Sequence, residues 1–373
     1  MFHFFGNSRK RKITGKVLFA AAVVLLCIRC LQPSEIFTSA AKNMDEEELH
    51  YIVKNIFAVR NRALLSGNLD TIEELYNTDL RNGLWAFIHE GKKVEYIKHW
   101  SEKQGAKFTD INSEIIVRWF RCGEQSATVS LLVSTSYKYV YEDRPETENL
   151  MRIGTYHELK LARNDENWLI TREWYTDPFA DSLDLEELNR ENKDFILSNE
   201  ARDFSDLNER RINAVKYADQ FCGAAYPGEN GYSYNPKYKN YNSLGGDCAN
   251  FVSQVLYEGG KFRKTYTWSY QKDGSRAWLK AQGLKDFMLN SGRGSLIAYG
   301  SYDKVLESSY KLLPGDIVAY EKKGEVAHVS VVTGADSRGY TLVNCHNTDR
   351  YRVPWDLGFS SSRIRFYLIR VHY

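Results

Sequence analysis

Gly245-Gly-Asp-Cys-Ala-Asn-Phe-Val-Ser-Gln254 decides how the C-terminal half of the chain is read. Two glycines make a turn. Phe251, Val252, Val255 and Leu256 then recur at helical spacing until Gly259-Gly260 closes the helix. Asp247 falls where an N-cap belongs, which puts Cys248 in the first helical turn. A thiol there meets the positive end of the helix dipole, so its pKa is expected below the ordinary value of about 8.5. Cys248 is therefore a candidate nucleophile in need of a nearby base. The alternative for a lone cysteine is a small buried hydrophobe.

Downstream, Leu313-Pro-Gly-Asp-Ile-Val-Ala-Tyr320 reads as a turn into a strand, and Lys322-Lys-Gly-Glu325 as a hairpin turn. Ala327-His-Val-Ser-Val-Val-Thr-Gly334 is the returning strand, with His328 at its start and on the face opposite Val329 and Val331. A base at a sheet edge can face a nucleophile on a helix N-terminus, however far apart the two lie in sequence. A third strand, Tyr340 to His346, sets Leu342, Asn344 and His346 on one face. His346 or Asn344 is thus a candidate to orient the His328 imidazole, with Asn347 next in line; the alternative is that His346 only ends the strand. Tyr241 or Asn242, just before the glycine turn, is a candidate contributor to an oxyanion hole. The tyrosines at 217, 226, 232, 234, 238 and 241 are read as packing a long loop rather than lining a cleft.

Upstream, Asp206-Leu-Asn-Glu209 has the pattern of a capping box opening a helix with Ile212, Val215 and Tyr217 to Phe221 as its apolar stripe. Together these segments resemble the bacterial family called Putative amidase domain. The resemblance rests on Asp206–Phe221, Tyr232–Tyr241, Gly246–Gln254, Gly259-Gly260, Ser275–Trp278, Pro314-Gly-Asp316, His328 and His346–Arg350. It covers roughly 207–372, and departs at Ala249, where the family more often has Thr. That family is similar in layout to NlpC-like and CHAP-like cell-wall cysteine peptidases. The resemblance implies a papain-like helix-plus-antiparallel-sheet domain with Cys248 as nucleophile, His328 as base and His346 as third member. The family's substrate does not carry over, but the export address in residues 1–40 and the fold resemblance together point to peptidoglycan stem peptides.

The first half has another pattern. Leu49, Ile52, Val53, Ile56 and Ala63 keep helical spacing over 45–65, and helical stretches follow near 69–77 and 84–102. β-rich runs then occupy 115–120, 129–141, 151–161 and 168–175, with turns at Cys122-Gly-Glu124 and Asn164-Asp-Glu-Asn167. Helices followed by a meander predict an α+β domain over 45–176, laid out, by analogy, like a nuclear-transport-factor-like cone. Residues 177–206 read as an acidic, solvated linker, so 45–176 and 207–373 are expected to fold separately.

Residues 1–40 carry an address. Arg9, Lys10, Arg11, Lys12 and Lys16 lead into the apolar run Val17–Ile28, which reads as a cleavable signal or an uncleaved membrane anchor. Either sends the remainder out of the cytoplasm, to be secreted or membrane-attached. Beyond residue 40 the charge is nearly balanced with a slight acidic excess, so nucleic acid is excluded as a partner. Cys122, Cys222, Cys248 and Cys345 form neither a disulfide framework nor a zinc pattern. A zinc set of His328, Cys345 and His346 lacks a ligand spacing, and neither metal nor cofactor is expected. The chain reads as an exported cysteine amidase or peptidase. The rival reading is a non-catalytic wall-peptide binder or interaction protein built on a degenerate amidase fold.

Overall fold

The computed structural model describes residues 46–164, 167–179, 190–228 and 232–373. The N-terminal address, the centre of the Asn164–Asn167 turn and the middle of the acidic segment lie outside the described residues. Among the described residues no helix is long and apolar enough to cross a membrane.

Helices α1 (Glu46–Ser66), α2 (Asp70–Glu73) and α3 (Arg81–Gln104) come first. Three glutamates occupy the positive end of α1, which buries Leu49, Val53, Ile56 and Ala63. α3 ends at Gly105, whose φ of 67 supplies the left-handed residue that stops a helix. Strands β1 (Ala106–Cys122), β2 (Ser126–Tyr141), β3 (Arg144–Asn164) and β4 (Asn167–Tyr175) then pair as an antiparallel meander. Val129, Leu131, Val133, Tyr137 and Tyr139 alternate along β2 and are all buried, as a period of two requires.

The remainder contributes α4 (Arg190–Ser198), α5 (Glu209–Gln220), α6 (Cys248–Gln254), α7 (Arg276–Leu279), α8 (Ala281–Asn290), β5 (Gly294–Gly300) and α9 (Tyr302–Ser309). Strands β6 (Ile317–Lys322), β7 (Glu325–Ala335), β8 (Thr341–Cys345), β9 (Asp349–Pro354) and β10 (Ile364–Val371) follow. The β6–β7 hairpin turns on Lys323 and Gly324, both at positive φ, where the sequence places it. The fold is α+β with antiparallel strand pairing throughout.

Two features depart from the sequence reading. The helix at 209 is capped by Asn208, whose side chain accepts from the Arg211 N–H at 3.0 Å, not by Asp206. Its inner face is Arg211, Ala214, Tyr217 and Ala218, while Ile212 is exposed. Arg211 goes inside because Asp316 of the Pro-Gly-Asp turn pairs with it at 2.9 Å, and Pro314 and Val371 carbonyls take its other protons. Gly259 meets a need of this same packing: a β-carbon there would run into Ala214 at 2.6 Å.

The second departure concerns the boundary. One sheet runs in the order β1-β2-β3-β9-β8-β7-β6-β10-β5, with β4 also on β3, so it passes from one half of the chain to the other. The junction pairs Arg152–Gly154 of β3 with Asp349–Tyr351 of β9. Ile317, Ala319, Val329, Val331 and Ile369 pack against α5, α6 and α8 on one face. Val318, Tyr320, Val332, Phe366 and Leu368 instead share a hydrophobic core with α1, α3 and the meander. The acidic segment is anchored as well, because Phe179 and Ile196 are fully buried.

Candidate active site

Cys248 opens α6, every residue of which is buried. Asp247 occupies the N-cap position, but its carboxylate does not cap the helix. Oδ1 takes the Tyr241 N–H at 3.0 Å and the Asn250 amide at 2.8 Å, and Oδ2 takes His346 Nδ1 at 2.6 Å. The carboxylate thereby closes the turn before the cysteine and leaves the first helical amides to the sulfur. The N–H groups of Cys248, Ala249 and Val329 all hold the thiol pKa down, but burial outweighs them and pushes it up to about 11. The expected depression below the ordinary value is therefore overturned. Desolvation of a thiol only 6% exposed exceeds what a helix end returns.

His328 lies beside Val329, and so next to the strand amide that reaches Cys248. Its ring stacks on Phe359 (centroids 5.3 Å) and leans on Tyr320 (5.4 Å). Nε2 is buried with no hydrogen-bond partner. Burial, with the Arg350 charge nearby, lowers its pKa to about 3. At neutral pH thiol and imidazole are both uncharged.

A cleft of about 360 Å³ opens at His328. Its walls include Asn242, Gly245 and Gly246 from the turn before Cys248, Ala327 and His328 from β7, and Asn347 and Arg350 from the β8–β9 turn and β9. Thr176, Asp177 and Pro178, at the end of the meander, line it too. The N-terminal half thus supplies part of the wall. Size and lining are those of a small-ligand or short-peptide site.

None of the candidate third members hydrogen-bonds His328 Nε2. His346 is held at both nitrogens, by Asp247 and by the Phe221 carbonyl at 2.7 Å, with its ring stacked on Phe251. Two acceptors require two N–H donors, so the geometry is that of an imidazolium, and the His346 pKa is raised: burial opposes the charge, but Asp247 and Asp349 outweigh it. Asn344 donates to the Ala218 carbonyl and Asp219 and accepts from Thr333 and Arg352. Asn344 and His346 both turn to the end of α5, at Ala218, Asp219 and Phe221. Asn347 accepts from the Asp247 N–H at 3.2 Å. Its side chain fills the space a β-carbon of Gly246 would need, and Gly246 has φ +128, a value other residues rarely adopt.

Tyr241 is committed as well, its N–H to Asp247 and its hydroxyl to Asp273. Asn242 lines the cleft, and only its Nδ2 amide could donate to an oxyanion, since Oδ1, buried and unpartnered, is an acceptor. The tyrosine-rich loop packs as read: the hydroxyls of Tyr217, Tyr234 and Tyr238 bond to Gln254, Asp349 and Glu258. No disulfide joins the described cysteines. Phe359, Tyr320 and Arg350 are the cleft residues sequence reasoning missed. Tyr320 and Arg350 fall within segments quoted above, but nothing in their spacing signals that either lines a cleft.

Comparisons with known proteins bear on the C-terminal half. Residues 208–369 match the family model described as Putative amidase domain. The uncharacterized protein YhbB of Bacillus subtilis (strain 168) is 23% identical over 283 residues, 71% of this chain and 80% of the relative. Among solved structures, the intermembrane space region of the chloroplast protein ARC6 matches 36% of this chain and 98% of its own, with 14% identity and a TM-score of 0.27. A protein with a cystatin-like fold from Nostoc punctiforme matches 35% of this chain and 92% of its own, with 8% identity and a TM-score of 0.23.

Proposed function

We propose that the chain is a cysteine amidase acting outside the cytoplasm on short peptides of the cell-wall type. The observation that carries this reading is the buried, unpartnered Nε2 of His328 on the wall of a cleft framed by the Gly245–Asp247 turn that leads into Cys248. A structural histidine is hydrogen-bonded when buried, and one left open at a cleft is available for a proton. The family match supports an amidase-like function on an amide substrate.

In this mechanism His328 accepts the Cys248 proton as the sulfur attacks the amide carbonyl. The oxyanion that forms takes hydrogen bonds from first-turn amides of α6 and from the Asn242 side chain. His328 then gives its proton to the leaving amine, and a thioester remains. Water, deprotonated by His328, releases the acid and restores the thiol. No cofactor enters. His346 is a positioning residue: through Asp247 it fixes the turn before the nucleophile. A small papain-like layout for 207–373 and a cone-like one for 45–176 fit the helix-on-sheet and helix-on-meander arrangements. The basic and apolar segment within 1–40 supports export, whether it is cleaved or stays as an anchor.

The test is hydrolysis of defined peptidoglycan stem peptides by the purified protein, followed by mass spectrometry. Cys248→Ala and His328→Ala are each expected to lower turnover by at least about a thousandfold, with circular dichroism unchanged. Turnover retained in Cys248→Ala would remove the nucleophile. Tight binding of the same peptides without cleavage by the parent protein would favour the binding-module reading.

A further inference from the structure

Arg350 sits on the wall of the cleft with only 1% of its surface exposed. Its guanidinium donates to two main-chain carbonyls, Leu357 at 2.5 Å and Pro178 at 3.1 Å, and Nε has no partner. No carboxylate pairs with it among the described residues. The acids nearby have other partners, although Asp349 Oδ1 is buried without one. Asp349, the preceding residue on β9, takes the Ala224 N–H and the Tyr234 hydroxyl. Asp177 pairs with His89 at 2.6 Å, and Glu321 takes the hydroxyls of Tyr299 and Tyr367. A buried guanidinium without a counter-charge is costly, because carbonyl dipoles replace only part of its hydration. Every other deeply buried arginine with an ionic role here has its acid: Arg60 with Glu173, Arg211 with Asp316.

The Arg350 guanidinium also lies 4.9 Å from the centroid of Phe359, the ring on which His328 stacks. The cation and the base are thus two neighbours of one aromatic ring on one cleft wall. We propose that Arg350 is a substrate-binding residue that takes a carboxylate close to the scissile amide. A planar guanidinium matches a carboxylate and fixes its direction, which would set the amide carbonyl against Cys248. The ligand class is a short peptide with a carboxylate within about one residue of the bond cut. That carboxylate is either a free C-terminus or the acid group of an adjacent residue. This inference rests on the amidase reading of the same cleft.

The two can be tested apart by alkylating the full chain with iodoacetamide at about pH 9, where a raised thiol pKa still yields thiolate. Labelling of each cysteine is followed by mass spectrometry in the presence of small competitors. N-acetylalanine carries a terminal carboxylate, N-acetylglutamic α-amide a side-chain one, and N-acetylalaninamide none. One of the two acids is expected to slow Cys248 labelling about tenfold at roughly ten times its Kd, and the amide to leave it unchanged. Whichever acid protects identifies the source of the carboxylate. Arg350→Gln is expected to abolish the protection, and Arg350→Lys to restore part of it. Equal labelling of the parent protein with acids and amide overturns the proposal, and this needs no variant to fold. Cys248 labelling no faster than that of Cys222 or Cys345 would instead sink the nucleophile assignment on which it rests.

Discussion

At the scale of single residues, two histidines of the C-terminal half carry opposite linkage to pH. His346 has a raised pKa in the folded protein, so it binds a proton more tightly there than in the unfolded chain. Its stabilisation is complete below the ordinary histidine value of about 6.5 and is lost as pH rises through the folded pKa. His328 has a lowered pKa, near 3, so the unfolded chain takes up a proton that the folded site refuses. Its contribution is present above about 6.5 and is lost as pH falls toward the folded value. His346→Gln should therefore lower Tm more at about pH 5.5 than at about pH 9, whereas His328→Gln should make the protein less sensitive to acid. Thermal melts of both variants across that range check the signs. A His346→Gln deficit that grows with pH would mean the imidazole between Asp247 and Phe221 is neutral.

At the scale of elements, much of the molecule is legible from spacing alone. The helix after Cys248, the hairpin at Lys323-Gly324 and the alternating face of β2 each announce themselves by a period and a turn. What spacing cannot convey is who meets whom. Nothing local says that Arg211 is buried, since its partner lies on a turn at Asp316. The orienting role read for His346 failed for the same reason. β8 ends at Cys345, and Asp247 and Phe221 claim both His346 nitrogens from other elements. Gly154 is another case. It reads as one more residue of a strand, yet a β-carbon there would overlap Ala224 at the β3–β9 junction. Gly154→Val should thus cost about 2–3 kcal/mol, typical of overpacking a site that cannot relax. A fall in the urea midpoint with an unchanged slope would confirm it. A neutral result would mean the junction has room to move.

At the scale of the whole molecule, the shared sheet decides how the protein unfolds. An acidic segment between two patterned regions suggests independent domains, and composition carries no hint that both regions complete a single core. The contacts that join them are buried and polar. Asp356, fully buried, accepts from Trp100 Nε1 and Lys103 Nζ at 3.1 Å each and from the Tyr340 hydroxyl at 2.9 Å. Asp336, also buried, takes the hydroxyls of Tyr139 at 2.9 Å and Tyr141 at 2.7 Å. Separating the halves would strand these carboxylates and expose Trp355, Phe366 and Leu368. Residues 46–373 should therefore unfold in one cooperative transition, with hydrogen exchange in β2 and in β7 reporting the same free energy. Asp356→Ala should lower that common stability by about 3 kcal/mol, because it leaves Lys103 and the Trp100 indole facing a buried gap. Two separate transitions, or a fragment 205–373 that melts as sharply as the whole, would show instead that the sheet junction is a contact between domains that fold alone. In that case Asp356→Ala should loosen the cleft wall at Thr176–Pro178 without moving either midpoint.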